Sequence, residues 1–218
     1  MKAMILAAGR GERMRPLTDV LPKPLLEVHN KPLIVWHLEK LVKAGFKEVI
    51  INIAHLGFKI PEYLGDGSNY GIKIAYSNEQ TSGALESAGG IKKALPLLGE
   101  ENFLVVNGDV FCDYDFNPDF DLQNKSAHLI LVQNPSHNVK GDFGLNDTLV
   151  FNKADEMYTF SGIGYYNPEL FKDVKEGKSA LAPLLREAIE QKNITGEVHH
   201  GHWHDIGTPQ RLDEINRT

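Results

Sequence analysis

The stretch Leu6–Thr18 reads LAAGRGERMRPLT and, together with PKPL at Pro22–Leu25, is the most informative part of the sequence. A short apolar run, Ala3 to Ala8, precedes Gly9 and has the length of a buried parallel strand. The glycines of the turn that follows, Gly9 and Gly11, let the backbone approach a ligand closely. The turn is surrounded by cationic side chains: Arg10, Arg13, Arg15 and Lys23. Backbone N–H groups and cations together suit a polyphosphate, although the same composition also occurs in solvated loops.

Two familiar phosphate-binding motifs are excluded, because in each of them one required glycine is replaced by another residue. A dinucleotide-binding fingerprint needs a third glycine after Gly9 and Gly11, and that position holds Met14. A P-loop needs a glycine ahead of its Gly-Lys-Ser, but Lys172 holds the corresponding position before Gly177–Ser179. The turn after the first strand therefore belongs to neither motif.

LAAGRGERMRPLT followed by PKPL resembles the signature of the sugar-1-phosphate nucleotidyltransferases, the enzymes that make nucleotide-diphosphate sugars. That signature usually reads Gly-x-Gly-Thr-Arg, and Glu12 replaces its Thr, as in the branch that uridylylates N-acetylmuramic acid 1-phosphate. The similarity to that branch continues through Leu181–Leu185 and through GHWHDIGT at Gly201–Thr208. The resemblance implies an α/β fold with a Rossmann-like, doubly wound, mostly parallel sheet.

Composition and charge limit the possible classes of protein. The 218 residues are 42% hydrophobic and 9% aromatic, enough to bury the core of one α/β domain. The net charge of −6 argues against a general binder of nucleic acid or of anionic membranes. No apolar run approaches the ~20 residues that cross a bilayer. Cys112, the single cysteine, cannot form an internal disulfide, which fits the cytoplasm, where we expect the protein.

The first half of the chain alternates between strand and helix patterns. Pro32 suits the start of a helix that Gly45 ends, and Pro96 is expected to end a later helix at Leu95. The other predicted elements are strands at Val49–Ile51, Ile72–Tyr76 and Phe103–Val106 and helices at Ile60–Leu64 and Glu86–Leu95. This alternation predicts βαβ units, with functional residues at the carboxyl ends of the strands.

After Asp109 the pattern changes to hairpins. Strands are predicted at His128–Val132, Leu149–Phe151 and Tyr158–Tyr166, and a helix at Leu181–Gln191. We expect these hairpins to lie over the first half and to form a sugar pocket. Residues 1–218 are then one nucleotidyltransferase domain, with a nucleotide-binding half at 1–110 and a sugar-phosphate-binding half at 111–218. The hexapeptide β-helix of some family members is not expected.

Two aspartates are the candidate metal ligands. Asp109 follows a predicted strand, and Asp205 lies at a strand-to-helix junction. Two carboxylates are a usual protein contribution to a Mg²⁺ ion that also binds water and phosphate oxygens, although a single Asp is more often a turn former or helix cap. The resemblance assigns Asp109 and Asp205 to Mg²⁺, because the family holds its metal at the matching positions.

The resemblance also implies a reaction. A sugar 1-phosphate oxygen attacks the α-phosphorus of a nucleoside triphosphate and releases pyrophosphate, so catalysis consists of positioning and charge neutralisation. Arg13 is expected on the departing pyrophosphate and Lys23 between the reacting phosphates. Many relatives add a lysine from a Glu-Lys-Pro motif, which is absent here; Lys153 lies in the corresponding region.

The substrate-binding residues follow from the same resemblance. Leu85–Gly90 resembles the small-residue segment under the base and ribose, although it could merely open a helix, and Glu79 is a candidate for the base edge. The expected nucleotide-binding residues are Leu6, Ala7, Ala8, Gly9, Gly11, Glu12, Glu79, Glu86, Gly89 and Asn107. The expected sugar-binding residues are Asp142, Gly144 and Gly162.

The C-terminal histidines present two further patterns. His199–His202 fits the His-x-Gly-His motif of another nucleotidyltransferase superfamily, but there the motif follows the first strand, so we discount it. Imidazoles of His200, His202 and His204 on one face of a strand could hold a transition metal. The nearby carboxylates and a phosphate substrate favour Mg²⁺, and a polar rim is the simpler interpretation.

Two function classes follow. The first is an enzyme whose expected substrates are UTP and N-acetylmuramic acid 1-phosphate, with mannose-1-phosphate guanylyltransferase and phosphocholine cytidylyltransferase as alternatives. The second is a catalytically inert regulatory subunit that binds nucleotide. Such a protein would be expected to have lost Arg13, Lys23, Asp109 or Asp205. All four residues are present, which favours the enzyme. We expect neither nucleic acid nor a membrane as partner, and a monomer or a small homo-oligomer.

Overall fold

The computed structural model describes residues 1–80 and 83–217. Thr81, Ser82 and Thr218, which the predicted domain includes, lie outside the described residues. The strands are β1 Lys2–Leu6, β2 Glu27–Val28, β3 Lys31–Pro32, β4 Glu48–Ile53, β5 Lys73–Asn78, β6 Phe103–Asn107, β7 Val110–Cys112, β8 Ala127–Val132, β9 Phe143–Asn146, β10 Leu149–Phe151, β11 Met157–Tyr166, β12 Ile194–His199 and β13 Trp203–Asp205. The α-helices are α1 Leu33–Ala44, α2 Lys59–Leu64, α3 Glu86–Leu98, α4 Leu181–Glu190 and α5 Pro209–Arg217.

The main sheet is mixed, and its first half is parallel. In the described residues it has nine strands in the order β5-β4-β1-β6-β11-β8-β12-β10-β9. The neighbours β5, β4, β1 and β6 are all parallel, as βαβ units require. The strand β11 then runs antiparallel to both β6 and β8. The α/β class is thus confirmed, while the sheet as a whole is not mostly parallel.

The second half continues the same sheet. A hairpin forms at β9–β10, of which only β10 was predicted as a strand, and it extends the edge of the sheet beyond β12 instead of lying over the first half. The strand β9 also pairs with the beginning of β11, so the strands of this half close on one another. Because β6 and β11 are hydrogen-bonded directly, the two halves share one sheet.

Helices cover both faces of the sheet. Alternating residues of β1 divide between two apolar clusters: Ile5 packs with the cluster that contains α1 and α2, and Met4 packs with the cluster of α3 and α4. Ile5 and Met4 are both fully buried. This two-sided burial explains why the strand is a continuous apolar run.

Some boundaries differ from the sequence prediction. Helix α3 does not end before Pro96 but continues to Leu98, because Leu98 is buried in the core and Gly99 N closes the turn on Leu95 O. The strands β7, β9 and β12 had no predicted counterpart; β7 and β9 are only three and four residues long. Within the described ranges, no helix is long and apolar enough to cross a membrane.

Candidate active site

A cavity of about 200 Å³ lies at the carboxyl ends of the parallel strands. Its lining includes the residues that follow β1 and β6 and those that begin α3: Leu6, Ala7, Ala8, Gly9, Lys23, Pro24, Asn52, Glu79, Ala84, Glu86, Ser87, Asn107, Gly108 and Asp109. This is the edge at which ligands bind in open α/β sheets. The structure therefore brings nine of the predicted site residues to one cavity: Leu6, Ala7, Ala8, Gly9, Lys23, Glu79, Glu86, Asn107 and Asp109.

The glycine turn depends on Gly11 for its shape. Gly11 has φ +63°, and a Cβ there would lie 2.7 Å from Thr18 Cγ2. The Thr18 hydroxyl and the Met14 amide both donate to the Gly11 carbonyl, which fixes the turn. Gly9, by contrast, has open space where a Cβ would stand. Its lack of a side chain leaves room in the cavity.

Three predicted residues of the turn, Gly11, Glu12 and Arg13, are absent from the described lining of the cavity. Glu12 and Arg13 are exposed in a short 3₁₀ helix, Glu12–Met14, and neither is among the described lining residues. Lys153 is also exposed and lines neither this cavity nor its neighbour. The predicted phosphate contacts of Arg13 and Lys153 stay predictions.

Glu79 forms part of the cavity wall, and both of its carboxylate oxygens already accept hydrogen bonds from the protein. It is 0% exposed, and its two carboxylate oxygens accept from Asn52 Nδ2 at 2.7 Å and from Leu85 N at 2.9 Å. Asn52 Oδ1 in turn accepts from Ala7 N at 2.7 Å. This chain of hydrogen bonds ties the end of β1 to the start of α3. In this arrangement Glu79 positions the wall, and its expected contact with the base is not formed by a free oxygen.

The beginning of α3 has an unusual backbone. Glu86 has φ +61°, which is uncommon for a residue with a long side chain, and it lines the cavity. Gly89, predicted to bind nucleotide, instead packs against the backbone of Gly177 and Ser179 and is absent from the described lining. Gly90 provides the close approach, because a Cβ there would lie 2.7 Å from Glu79 Oε1.

Asp109 and Asp205 are brought together by strand pairing. Strands β7 and β13 are antiparallel, with Asp205 opposite Val110, and Ile206 N donates to Asp109 O at 2.8 Å. Gly108 N donates to Leu6 O at 2.9 Å, which holds the turn before β7 against β1. Strand pairing thus places the backbone of Asp205 next to that of Asp109, which lines the first cavity.

Each of these carboxylates has cationic or imidazole partners. Lys23 Nζ lies 2.6 Å from Asp109 Oδ2, and Lys23 is only 11% exposed. Asp205 Oδ2 lies 2.7 Å from Arg211 Nη1 and 3.3 Å from His137 Nε2. Asp205 Oδ1 is buried and has no hydrogen-bond partner among the described residues. A buried, unpartnered carboxylate oxygen is costly, so it is available to a cation.

The histidine metal site considered above is not formed. His200 and His202 lie between β12 and β13 rather than on one strand with His204. Across residues 1–80 and 83–217, no group of three or more His, Cys, Asp or Glu side chains is arranged to hold a metal ion. A metal at Asp109 and Asp205 would take its other ligands from water and substrate, as Mg²⁺ commonly does.

A second cavity of about 470 Å³ adjoins the first. The two cavities share Glu86, Ser87 and Asn107. The other lining residues come from β9, β11 and α4: Asp142, Phe143, Phe160, Ala180, Leu181, Ala182, Leu185 and Arg186. Of the predicted sugar residues, Asp142 lies in this cavity, where its Oδ2 accepts from Phe160 N at 2.9 Å and from Asn138 Nδ2 at 3.2 Å.

The two predicted sugar-pocket glycines have packing roles. Gly162 has φ +83°, and a Cβ there would lie 2.5 Å from Asn107 Nδ2, so this glycine makes room for a side chain that lines both cavities. Gly144 is absent from the described lining, and a Cβ there would overlap Ala154. Only Gly162 is thus adjacent to the cavities.

Sequence reasoning missed Asn52, His137, Arg186 and Arg211. Asn52 is the one polar residue in the middle of the apolar strand β4, and this was a signal that could have been used. Arg211 is six residues after Asp205, so its ion pair depends on the turn between β13 and α5. His137 and Arg186 reach the site only through tertiary packing, which the sequence pattern does not encode.

Burial shifts the ionisation of a histidine behind the site. His37 in α1 is buried, and burial together with the nearby charge of Lys40 lowers its pKa to about 4. The ring is therefore neutral at pH 7. Its Nε2 has no hydrogen-bond partner among the described residues.

Residues 2–218 match the family described as Nucleotidyl transferase. The chain belongs to this family. It is 55% identical to N-acetylmuramate alpha-1-phosphate uridylyltransferase of Neisseria meningitidis serogroup B, over 98% of this chain and 96% of the relative. It is 29% identical to mannose-1-phosphate guanyltransferase of Hypocrea jecorina, over 96% of this chain and 62% of the relative.

A solved structure with the same fold is that of a putative glucose-1-phosphate thymidylyltransferase from Bacillus anthracis. It is 25% identical, has a TM-score of 0.86 and is matched over 100% of this chain and 94% of its own. The predicted family and the prediction of an enzyme are thereby confirmed: the chain is a sugar-1-phosphate nucleotidyltransferase.

Proposed function

We propose that this enzyme transfers the uridylyl group of UTP to N-acetylmuramic acid 1-phosphate and releases pyrophosphate. The observation that carries the proposal is the pair of adjoining cavities, with Lys23 and Asp109 in the lining of the first and with Asp205 on the strand that pairs beside Asp109. The choice of substrates is supported by the 55% identical uridylyltransferase, whose similarity extends over nearly the full length of both chains. The 29% identical guanyltransferase is the more distant relative.

The first cavity is assigned to the nucleotide. The backbone from Leu6 to Gly9 and the start of α3 would enclose the base and ribose. Gly11 would keep the shape of the turn, and the exposed side chains of Glu12 and Arg13 would reach the triphosphate. Glu79 and Asn52 would hold the wall in position. The second cavity, which contains Asp142, is assigned to the sugar.

The chemistry needs no nucleophilic side chain. The phosphate of the sugar 1-phosphate attacks the α-phosphorus of UTP, the bond to the β-phosphate breaks, and pyrophosphate leaves with the electron pair. Lys23 would neutralise charge on the reacting phosphates, and Arg13 charge on the pyrophosphate. The protein's main contribution is to hold the two substrates in line, which itself lowers the barrier substantially.

Asp109 and Asp205 would hold Mg²⁺. Their fit to this ion rests on oxygen donors alone, on the pairing of β7 with β13 and on the unpartnered Asp205 Oδ1. When bound, Mg²⁺ supplies Lewis-acid stabilisation of phosphate charge. Lys23 and Arg211 form ion pairs with the two carboxylates. We also propose that the enzyme works in the cytoplasm, where UTP is made.

Turnover on a matrix of substrates tests this function. UTP, CTP, GTP and dTTP are each paired with the 1-phosphates of N-acetylmuramic acid, N-acetylglucosamine, glucose and mannose, and pyrophosphate release is measured. We expect the highest kcat/KM for UTP with N-acetylmuramic acid 1-phosphate. A preference for GTP, or for a neutral sugar with UTP, would contradict the proposed substrates. Asp109→Asn serves as the inactive reference for background hydrolysis.

A further inference from the structure

Arg186 stands out in the second cavity because of its charge. Among the described residues that line this cavity, it is the only one with a cationic side chain. It lies on α4, where Leu181, Ala182, Leu185 and Arg186 follow helical spacing and face the same cavity. The buried Leu181 and Leu185 anchor this face of the helix in the core. Arg186 is thus presented from a fixed element.

The guanidinium is loosely held by neutral groups. Arg186 Nη2 lies 3.4 Å from Asp142 O, and Nη1 lies 3.5 Å from Asn152 Oδ1. Both distances exceed the usual range for such hydrogen bonds. The guanidinium carbon lies 5.2 Å from the ring centre of Phe143. No carboxylate of the described residues forms an ion pair with it. Its planar fork therefore remains available to a bidentate acceptor.

The other charged side chains that line this cavity are acidic, so Arg186 can favour the binding of an anionic sugar. Glu86 and Asp142 line the same cavity and would repel an anionic substituent of a sugar. Lys23 lines the first cavity and not the second, and it already pairs with Asp109. Among the described lining residues, a ligand that brings a second negative charge into the sugar cavity would thus find a matching charge only on Arg186.

We propose that Arg186 binds the carboxylate of the lactyl ether of N-acetylmuramic acid 1-phosphate and selects this acidic sugar over neutral sugars. The inference rests on the proposed function, since it concerns the sugar of that reaction. N-acetylglucosamine 1-phosphate has the same ring and acetamido group but a hydroxyl in place of the lactyl ether. Arg186 would be a specificity-determining residue that contacts the substrate away from the reacting phosphates.

Three substrates and two variants test the inference. The substrates are N-acetylmuramic acid 1-phosphate, its analogue with a lactyl carboxamide, and N-acetylglucosamine 1-phosphate, each with UTP. The variants are Arg186→Gln, which removes the charge, and Lys192→Gln, which removes an exposed charge just beyond the end of α4. Thermal unfolding of each variant verifies that the fold is kept.

We expect Arg186→Gln to raise KM for the acid about 10- to 100-fold, because one charge-assisted bidentate contact is lost. Its KM for UTP and its kcat/KM for the carboxamide and the neutral sugar should stay near the wild-type values. The preference of the wild type for acid over carboxamide should therefore nearly disappear in Arg186→Gln and persist in Lys192→Gln.

The outcomes separate the two proposals. If the wild type turns over the acid with UTP and Arg186→Gln keeps its preference for acid over carboxamide, the role of Arg186 is overturned while the function stands. If the wild type does not use the acid with any triphosphate, both are overturned. A uniform fall of kcat/KM on all three sugars would also overturn the selective role, because it would indicate a structural effect.

Discussion

Lys23 Nζ donates a 2.6 Å hydrogen bond to Asp109 Oδ2 across 86 positions of the sequence. One partner belongs to the PKPL segment after the glycine turn, and the other follows β6. The pair places a cation and a candidate metal ligand at the same point of the cavity. Their charges compensate one another, and the contact fixes the position of both side chains in the cavity.

Replacing Lys23 should affect catalysis far more than stability. In Lys23→Ala, we expect kcat/KM to fall about 100- to 1,000-fold, the usual loss when one preorganised donor to a charged transition state is removed. The unfolding midpoint should change little, because Asp109 is 34% exposed and can be hydrated once its partner is lost. Steady-state kinetics and thermal unfolding measure the two effects. Lys43→Ala, on α1, is the control; equal activity of Lys23→Ala and wild type would refute the phosphate role of Lys23.

Replacing Asp205 tests the metal site. In Asp205→Asn, turnover should be almost abolished while the Kd for UTP changes by only a few-fold, because metal binding mainly stabilises charge in the transition state. Asp213→Asn, an exposed position on α5, is the matched control. A chelator should likewise stop turnover by the wild type, and added Mg²⁺ should restore it. Full activity of Asp205→Asn in Mg²⁺ would exclude this carboxylate as a ligand.

Replacing Glu79 tests whether this residue supports the cavity wall or recognises the nucleotide base directly. In Glu79→Gln, the amide can still accept from Asn52, but its NH₂ group faces Leu85 N, which loses its acceptor. An unsatisfied buried donor costs about 1–3 kcal/mol, so the free energy of unfolding should fall by that amount. KM for UTP should rise, with the order of preference among the four triphosphates unchanged. An altered base preference at wild-type stability would instead support direct recognition of the base.

The lowered pKa of His37 predicts that the free energy of unfolding decreases in acid. This pKa is about 4 in the folded protein and near 6.5 in the unfolded chain, so between these values the unfolded state binds more protons. The free energy of unfolding should therefore decrease as pH falls from about 6.5 to about 4, by about 3 kcal/mol from this residue.

Urea unfolding at several pH values, without added divalent ion, measures the contribution of His37. His37→Asn should flatten the pH dependence in this window and His200→Gln, an exposed position, should not. An unchanged slope in His37→Asn would assign the acid sensitivity to other groups.

The sequence was most informative where one local pattern decides the structure. The apolar run before Gly9 predicted β1, Gly11 has the left-handed backbone that favours glycine, and the alternation of elements predicted the parallel strands. Asn107 and Asp109 could be placed at the cavity because parallel strands end at a common edge. These features depend on backbone preferences and periodicity, which a single sequence carries.

The rest of the site depends on contacts between distant segments. Glu79 looked like a free acid in sequence, but the fold gives both of its oxygens to Asn52 and Leu85. Gly89 and Gly90 are neighbours in sequence, yet only the packing around them decides that Gly90 faces Glu79. Arg186 belongs to a helix that the sequence predicted correctly, but only the structure shows that its side chain lies beside Asp142 in the second cavity.

The direct pairing of β6 with β11 restricts how this enzyme can move. Four residue pairs, from Ile163 opposite Val106 to Tyr166 opposite Phe103, join the strands that carry the two cavities. A hinge rotation of one half against the other would have to break these backbone hydrogen bonds, each of which lies in the buried sheet. Product release should therefore depend on movements at the surface, such as those of the exposed side chains of Glu12 and Arg13, while the sheet acts as a rigid frame with a fixed spacing between the two substrates.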